Sequence, residues 1–439
     1  MDARELTDDP RIAPVIAELQ QAFDDGRIVS DVIDSNGHQY VDLVIEGGGV
    51  LGVALAGYTW ALRRCGIRFH SIAGASAGAI NAMLLAALDG TTPTDPQDGT
   101  EDQQTNDPVS PQRAIDDDWL IDKLANVPID EFVDGPAPIR KFIKSWFWTD
   151  RWRRFFRIGF WMLNVGRVWR QLCESFGLNP GKRFEQWLTR TLDEAGLSSL
   201  PTLDTRRERV HGRVRMRDGI LAADGTPRSV DDLDAKLIVV SADLVTQSRV
   251  VLPQRTEHHW STDPHPAALV RASMSIPGFF EPVVLEAGGR VDRPSMMIDG
   301  GLLSNFPIDL LHRPDLVPRL PTFGVKVGVE PERTKAPEAI GGYLTALLLT
   351  LRRNLEHEHI LANPDFERIV QAIDTQGHSW LEFDVEDAAK LDLFARGVES
   401  AADFLLGPKG ADGQRRSAEG FDWASYKELR GVRASMFGG

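Results

Sequence analysis

The chain has 439 residues, a formal net charge of −15 and only two cysteines. Such a length supports a large buried core, and the acidic balance argues against a nucleic-acid partner, because binding phosphates needs a positive surface. Cys65 and Cys173 are too few and too far apart for a disulfide framework or a zinc site, and no His–Cys cluster is present, so no metal is expected and a reducing compartment is.

Residues 1–39 read as an N-terminal extension. Its start, Met1-Asp2-Ala3-Arg4-Glu5, lacks the basic-then-apolar pattern of a signal peptide. No stretch supplies the about 20 consecutive apolar residues of a membrane span. A cytoplasmic protein is therefore expected, peripheral at a membrane if its substrate is lipid.

Two strand–loop–helix units follow. Val41–Ile45 is a β-branched strand, Glu46-Gly47-Gly48-Gly49 a glycine loop, and Val53–Leu62 a helix; then Ile67–Ile72 is a strand, Gly74-Ala75-Ser76-Ala77-Gly78 a tight turn, and Ala79–Leu88 an Ala/Leu-rich helix. A helix start carries free N–H groups and a positive dipole end, which favours an anion there. Gly74 and Gly78 permit a sharp elbow that exposes the Ser76 hydroxyl, and Gly47, Gly48 and Gly49 can offer N–H groups to an oxyanion.

From residue 89 to 113 the chain is Thr, Pro, Asp, Gln and Gly, which reads as a mobile acidic loop. Residues 140–170 reverse this character: five tryptophans interleave with phenylalanines and nine basic residues against the single acid Asp150. Trp152, Arg154 and Trp161 could contact an anionic membrane surface; equally, the aromatics could pack as a cap helix with the arginines paired elsewhere. A helix beginning near Arg183 ends before Gly196, an inserted hairpin is expected over 206–228, and Lys236–Val240 reads as a strand. Met296-Met297-Ile298 is a strand ending in Asp299-Gly300-Gly301, a helix is expected over 344–355, and the Gly-rich, charged tail from 408 to 439 is expected to be loosely held.

Gly-x-Ser-x-Gly alone is a weak signal, and Asp-Gly alone is more often a turn. Gly47-x-Gly49-x-x-Gly52 also fits a dinucleotide fingerprint, but the second strand, Arg68-Phe69-His70-Ser71, lacks the acid that would hold a ribose. A histidine triad would draw on His312, His357, His359 or His378, which follow Asp299; Ser76 comes too early for the usual α/β-hydrolase order. Asp299 at a strand end could instead serve as base for Ser76 without a histidine.

In this order, the glycine loop, Gly74-x-Ser76-x-Gly78 and Asp299-Gly300-Gly301 resemble the patatin-like phospholipases, as do Lys236–Asp243, Arg271–Phe280 and Asn305-Phe306-Pro307. The resemblance covers residues 40–407. It implies a three-layer α/β fold with a mostly parallel central sheet. It also implies a serine acyl hydrolase of lipid esters, of phospholipase A or lysophospholipase type: Ser76 is the nucleophile, Asp299 the base, Gly47, Gly48 and Gly49 the oxyanion loop, and no cofactor is needed. Leu51 stands where that family usually has Arg or Lys, which removes a positive charge near the site. A lipid-binding or signalling module with weak turnover is the alternative.

Overall fold

The computed structural model describes residues 2–89, 115–137, 139–140, 166–221, 228–254, 256–288, 292–328, 363–376, 378 and 386–437. The expected mobile loop (apart from Asp89), most of the aromatic–basic segment with Trp152, Arg154 and Trp161, and the expected helix over 344–355 lie outside these residues.

Five strands form the parallel centre of the sheet, in the order β12 (Val370–Ile373), β11 (Thr322–Val327), β2 (Gln39–Ile45), β3 (Ile67–Ala75) and β6 (Leu237–Asp243). Every residue of β6 and nearly all of β2 and β3 are buried, as expected for parallel strands covered on both faces. Antiparallel strands complete the sheet: β1 (Val32–Ile33) and β5 (Arg215–Met216) beside β2, and β7 (Ser248–Leu252), β9 (Val283–Leu285) and β10 (Ser295–Asp299) around β6. β4 (Gly177–Asn179) and β8 (Gly278–Phe280) pair in parallel as a separate two-stranded sheet, and helices flanking the main sheet make the expected three-layer α/β arrangement.

The register around β6 builds the site. β3 pairs in parallel with Leu237–Val240, ending with Ala75 opposite Val240, while β10 pairs antiparallel with Ser241–Asp243, ending with Asp299 opposite Ser241. Since β7 runs past both segments, from Val239 to Asp243, it occupies the other edge of β6. β3 and β10 therefore run towards one another along a single edge, and their last residues meet beside two consecutive residues of β6. Residues more than two hundred positions apart in the chain, Ser76 and Asp299, are brought face to face by this register alone.

Helices Gly52–Arg64 and Ala77–Leu88 leave the ends of β2 and β3 and are buried almost throughout. Helix Asp387–Leu406 crosses the first of them at backbone contact: a Cβ at Gly57 would overlap Phe394 O, and one at Gly397 would overlap Ala54 O.

Two sequence expectations are corrected. Residues 206–213 are not the first half of a hairpin but the end of helix Leu200–Arg213, which Ser199 caps by accepting the Thr202 N–H at 3.3 Å. Arg206 and Arg207 are buried there because their guanidinium groups satisfy main-chain carbonyls, Ala87 and Ala195 for Arg206 and Phe69 and His70 for Arg207. The tail is likewise no loose end. Helix Trp423–Phe437 buries Trp423, Tyr426 and Arg430; Trp423 Nε1 donates to Asp31 Oδ1 at 2.8 Å, and Arg430 and Arg433 lie 3.4 and 3.0 Å from the buried Asp365.

Candidate active site

Ser76 stands between β3 and helix Ala77–Leu88 with φ 52° and ψ −124°. A positive φ is costly for a side chain with a Cβ and persists only where the surroundings enforce it. Here the close approach of the elbow's own glycines enforces it: a Cβ at Gly74 would overlap Gly78 O, and one at Gly78 would overlap Ile45 O. Ser273 fixes the turn from the other side, accepting the Ser76 N–H at 2.9 Å while donating to Val240 O at 2.6 Å.

The Ser76 hydroxyl donates to Asp299 Oδ2 at 2.9 Å, and Met274 Sδ lies 3.5 Å from Ser76 Oγ. Asp299 is oriented by two main-chain contacts. Its Oδ1 accepts the Gly301 N–H at 2.6 Å, and its own N–H donates to Ser275 O at 2.9 Å. Arg271, buried at 3% exposure, holds that Ser275 turn, donating to Ser275 Oγ at 2.6 Å and to the carbonyls of Pro180 and Glu281 at 2.7 and 2.8 Å. Gly300 abuts Val240 O so closely that a side chain there would collide.

The glycine loop curls over Ser76. A Cβ at Gly47 would meet Asn305 Oδ1 and come within 3.0 Å of Ser76 Cβ, so only glycine lets the loop lie against Ser76. The Gly47 N–H donates to Asn305 O at 3.1 Å, so it is not open to an oxyanion, contrary to the sequence expectation for all three glycines. Gly49 has φ 57°, a left-handed conformation suited to glycine. The loop is pinned from below: Asn305 Nδ2 donates to Glu46 Oε1 and Gly47 O, both at 3.1 Å, and Glu46 Oε2 accepts the Val327 N–H at 2.8 Å.

Beside this group opens a cavity of about 230 Å³ whose wall includes Gly49, Ala77, Ile80, Met274, Phe279 and Phe280. Its mostly apolar lining suits a hydrocarbon chain. The histidines that could have supplied a triad make their contacts elsewhere among the described residues: His312 with Asp365 at 3.1 Å, His378 with Asp392 at 3.2 Å. His357 and His359 lie outside the described residues.

The family model of the patatin-like phospholipases matches residues 43–312. The chain belongs to the patatin-like phospholipase family. It is accordingly a lipid hydrolase. It is similar to the uncharacterized protein YqhO of Bacillus subtilis, with 27% identity over 276 residues that make up 62% of this chain and 67% of that one. Among solved structures, VipD from Legionella pneumophila is matched at 13% identity with a TM-score of 0.37, over 85% of this chain and 69% of that one. Within this patatin-like site, sequence reasoning assigned no role to Glu46, Arg271, Ser273 or Asn305. The segments holding Arg271, Ser273 and Asn305 were visible as motifs, but that their side chains bind main-chain groups around the elbow, the Asp299 turn and the loop is a property of packing. Among the described residues, no helix is long and apolar enough to cross a membrane.

Proposed function

We propose that this patatin-like protein is a phospholipase A or lysophospholipase that works through a Ser76–Asp299 dyad. The observation that carries the proposal is the 2.9 Å hydrogen bond from Ser76 Oγ to Asp299 Oδ2, at a strained elbow opening on an apolar cavity. Asp299 accepts the hydroxyl proton as Ser76 Oγ attacks the ester carbonyl, the N–H groups of Gly48 and Gly49 receive the developing oxyanion, and Asp299 returns the proton to the departing alcohol. Water then attacks the acyl-enzyme with Asp299 again as base, releasing the fatty acid and the free Ser76 hydroxyl. No cofactor enters these steps. Gly74 and Gly78 shape the elbow, and Gly300 and Gly301 let the Asp299 turn approach β6 and present an N–H to the carboxylate.

The test is hydrolysis of diacyl and monoacyl phospholipids by the wild-type protein, Ser76→Ala and Asp299→Asn, with released fatty acid measured. Both variants are expected to lose on the order of 10³-fold or more in kcat. Undiminished hydrolysis by Ser76→Ala would remove the serine from the mechanism. Comparing the two substrates separates phospholipase A from lysophospholipase activity.

A further inference from the structure

Asn81 sits in the wall of the cavity, on the helix that Ser76 begins. It is 2% exposed, and its Nδ2 donates to Ala77 O at 3.2 Å. Because a main-chain carbonyl can only accept, that bond fixes which end of the amide is which. The other end, Oδ1, is buried and has no hydrogen-bond partner among the described residues. A buried carbonyl oxygen without a donor is destabilising, and a native structure that keeps one calls for an explanation. Val53, Ile80, Leu124 and Met274 of the surrounding wall carry no side-chain donor, and the lining's ammonium, Lys390, has its Nζ 3.8 Å from Asp387 Oδ1.

Resting on the Ser76–Asp299 reading, we infer that Asn81 Oδ1 accepts a hydrogen bond from a hydroxyl of the lipid substrate and makes the enzyme selective for hydroxyl-bearing esters. Asn81 lies five residues beyond Ser76, roughly 7 Å along the helix axis. A hydroxyl that reaches it belongs a few atoms from the scissile carbonyl, on the acyl chain or on the alcohol next to the ester. An apolar pocket discriminates weakly against a missing hydroxyl, but a buried acceptor left unpaired by the deoxy substrate discriminates strongly. The occupant is a neutral donor: the charged residues among the described lining are Asp130, which is exposed, and Lys390, so a buried ammonium would find no buried anion to compensate it and a cation already at the wall.

The experiment measures kcat/KM on two substrate pairs. One pair is 4-nitrophenyl decanoate and 4-nitrophenyl 3-hydroxydecanoate; the other is propyl decanoate and 1-decanoylglycerol. The wild-type protein is expected to favour the hydroxyl-bearing member of one pair by about tenfold, and the pair that responds shows whether the hydroxyl lies on the acyl or the alcohol side. In Asn81→Leu the ratio is expected to fall to within about twofold, whereas Asn81→Asp, which keeps an acceptor, retains the preference. Each ratio is taken within one protein, so a reduced folded fraction cancels. Wild-type ratios near one for both pairs, or an unchanged ratio in Asn81→Leu, would overturn the inference while leaving the dyad in place. Absence of any ester hydrolysis by the wild-type protein would overturn the dyad reading, and this inference with it.

Discussion

At the scale of single residues, the site depends on side chains that hold main chain. Asn305 donates to both Glu46 and Gly47 at 3.1 Å and accepts from the Gly47 N–H through its own carbonyl, so it locks the glycine loop over Ser76. Removing its side chain leaves the buried Glu46 carboxylate short of a donor and frees the loop. Displacements of about 1 Å can cost 10²-fold in rate. Asn305→Ala is therefore expected to lower kcat by roughly 10–100-fold while KM changes little, because the acyl cavity is untouched. Steady-state kinetics on a soluble ester checks this; an effect confined to KM would show that Asn305 shapes binding rather than the loop. Ser273 belongs to the same class: it ties the Ser76 N–H to Val240 O, the point where β3 gives way to β10.

At the scale of elements, the helix that follows the glycine loop is held by helix Asp387–Leu406, and the two touch through glycine. A Cβ at Gly397 would overlap Ala54 O and lie 2.8 Å from Tyr58 N, and neither backbone atom can turn aside. Gly397→Ala must push the helices apart, and a loss of about 1–3 kcal/mol is expected, read as a lowered melting midpoint. An unchanged midpoint would mean that the crossing is looser than the contact implies. The C-terminal helix is tied down differently, through charge. His312 is buried between Asp365, Arg430 and the ring of Phe366, and burial, reinforced by Arg430, holds its imidazole below its ordinary value of 6.5 in spite of Asp365. The folded protein thus resists a proton that the unfolded chain accepts. As pH falls below about 6.5 towards the lowered folded value, stability should decline by at most about 1.4 kcal/mol per unit from this group. Urea unfolding between pH 7 and 5 measures the slope, and His312→Gln is expected to make it shallower; an equal slope in both proteins would place the acid sensitivity elsewhere.

At the scale of the whole molecule, the order of motifs in the chain was enough to read the fold class, because each motif marks the end of a strand and each strand carries its own apolar signature. Val41–Ile45, Ile67–Ile72, Lys236–Val240 and Met296–Ile298 all correspond to strands, extended by a few residues where tertiary pairing overrides local signals. The head-on meeting of β3 and β10 was not legible, since strand direction and shared edges leave no trace in composition. Nor was the packed tail: Arg430 and Arg433 look like solvent residues until Asp365 is seen waiting beneath them. Arg206 and Arg207 misled in the same way, their charge hiding a helix face buried on carbonyls. Everything in the functional reading converges on one bond, from Ser76 Oγ to Asp299 Oδ2. The most direct measurement is labelling of the purified protein with a fluorophosphonate, with the modified residue located by mass spectrometry, in the wild-type protein and in Asp299→Ala. The expected result is an adduct on Ser76 in the wild-type protein that is lost in Asp299→Ala. No adduct on Ser76 in the presence of anionic vesicles, or one formed equally well without Asp299, would contradict the dyad.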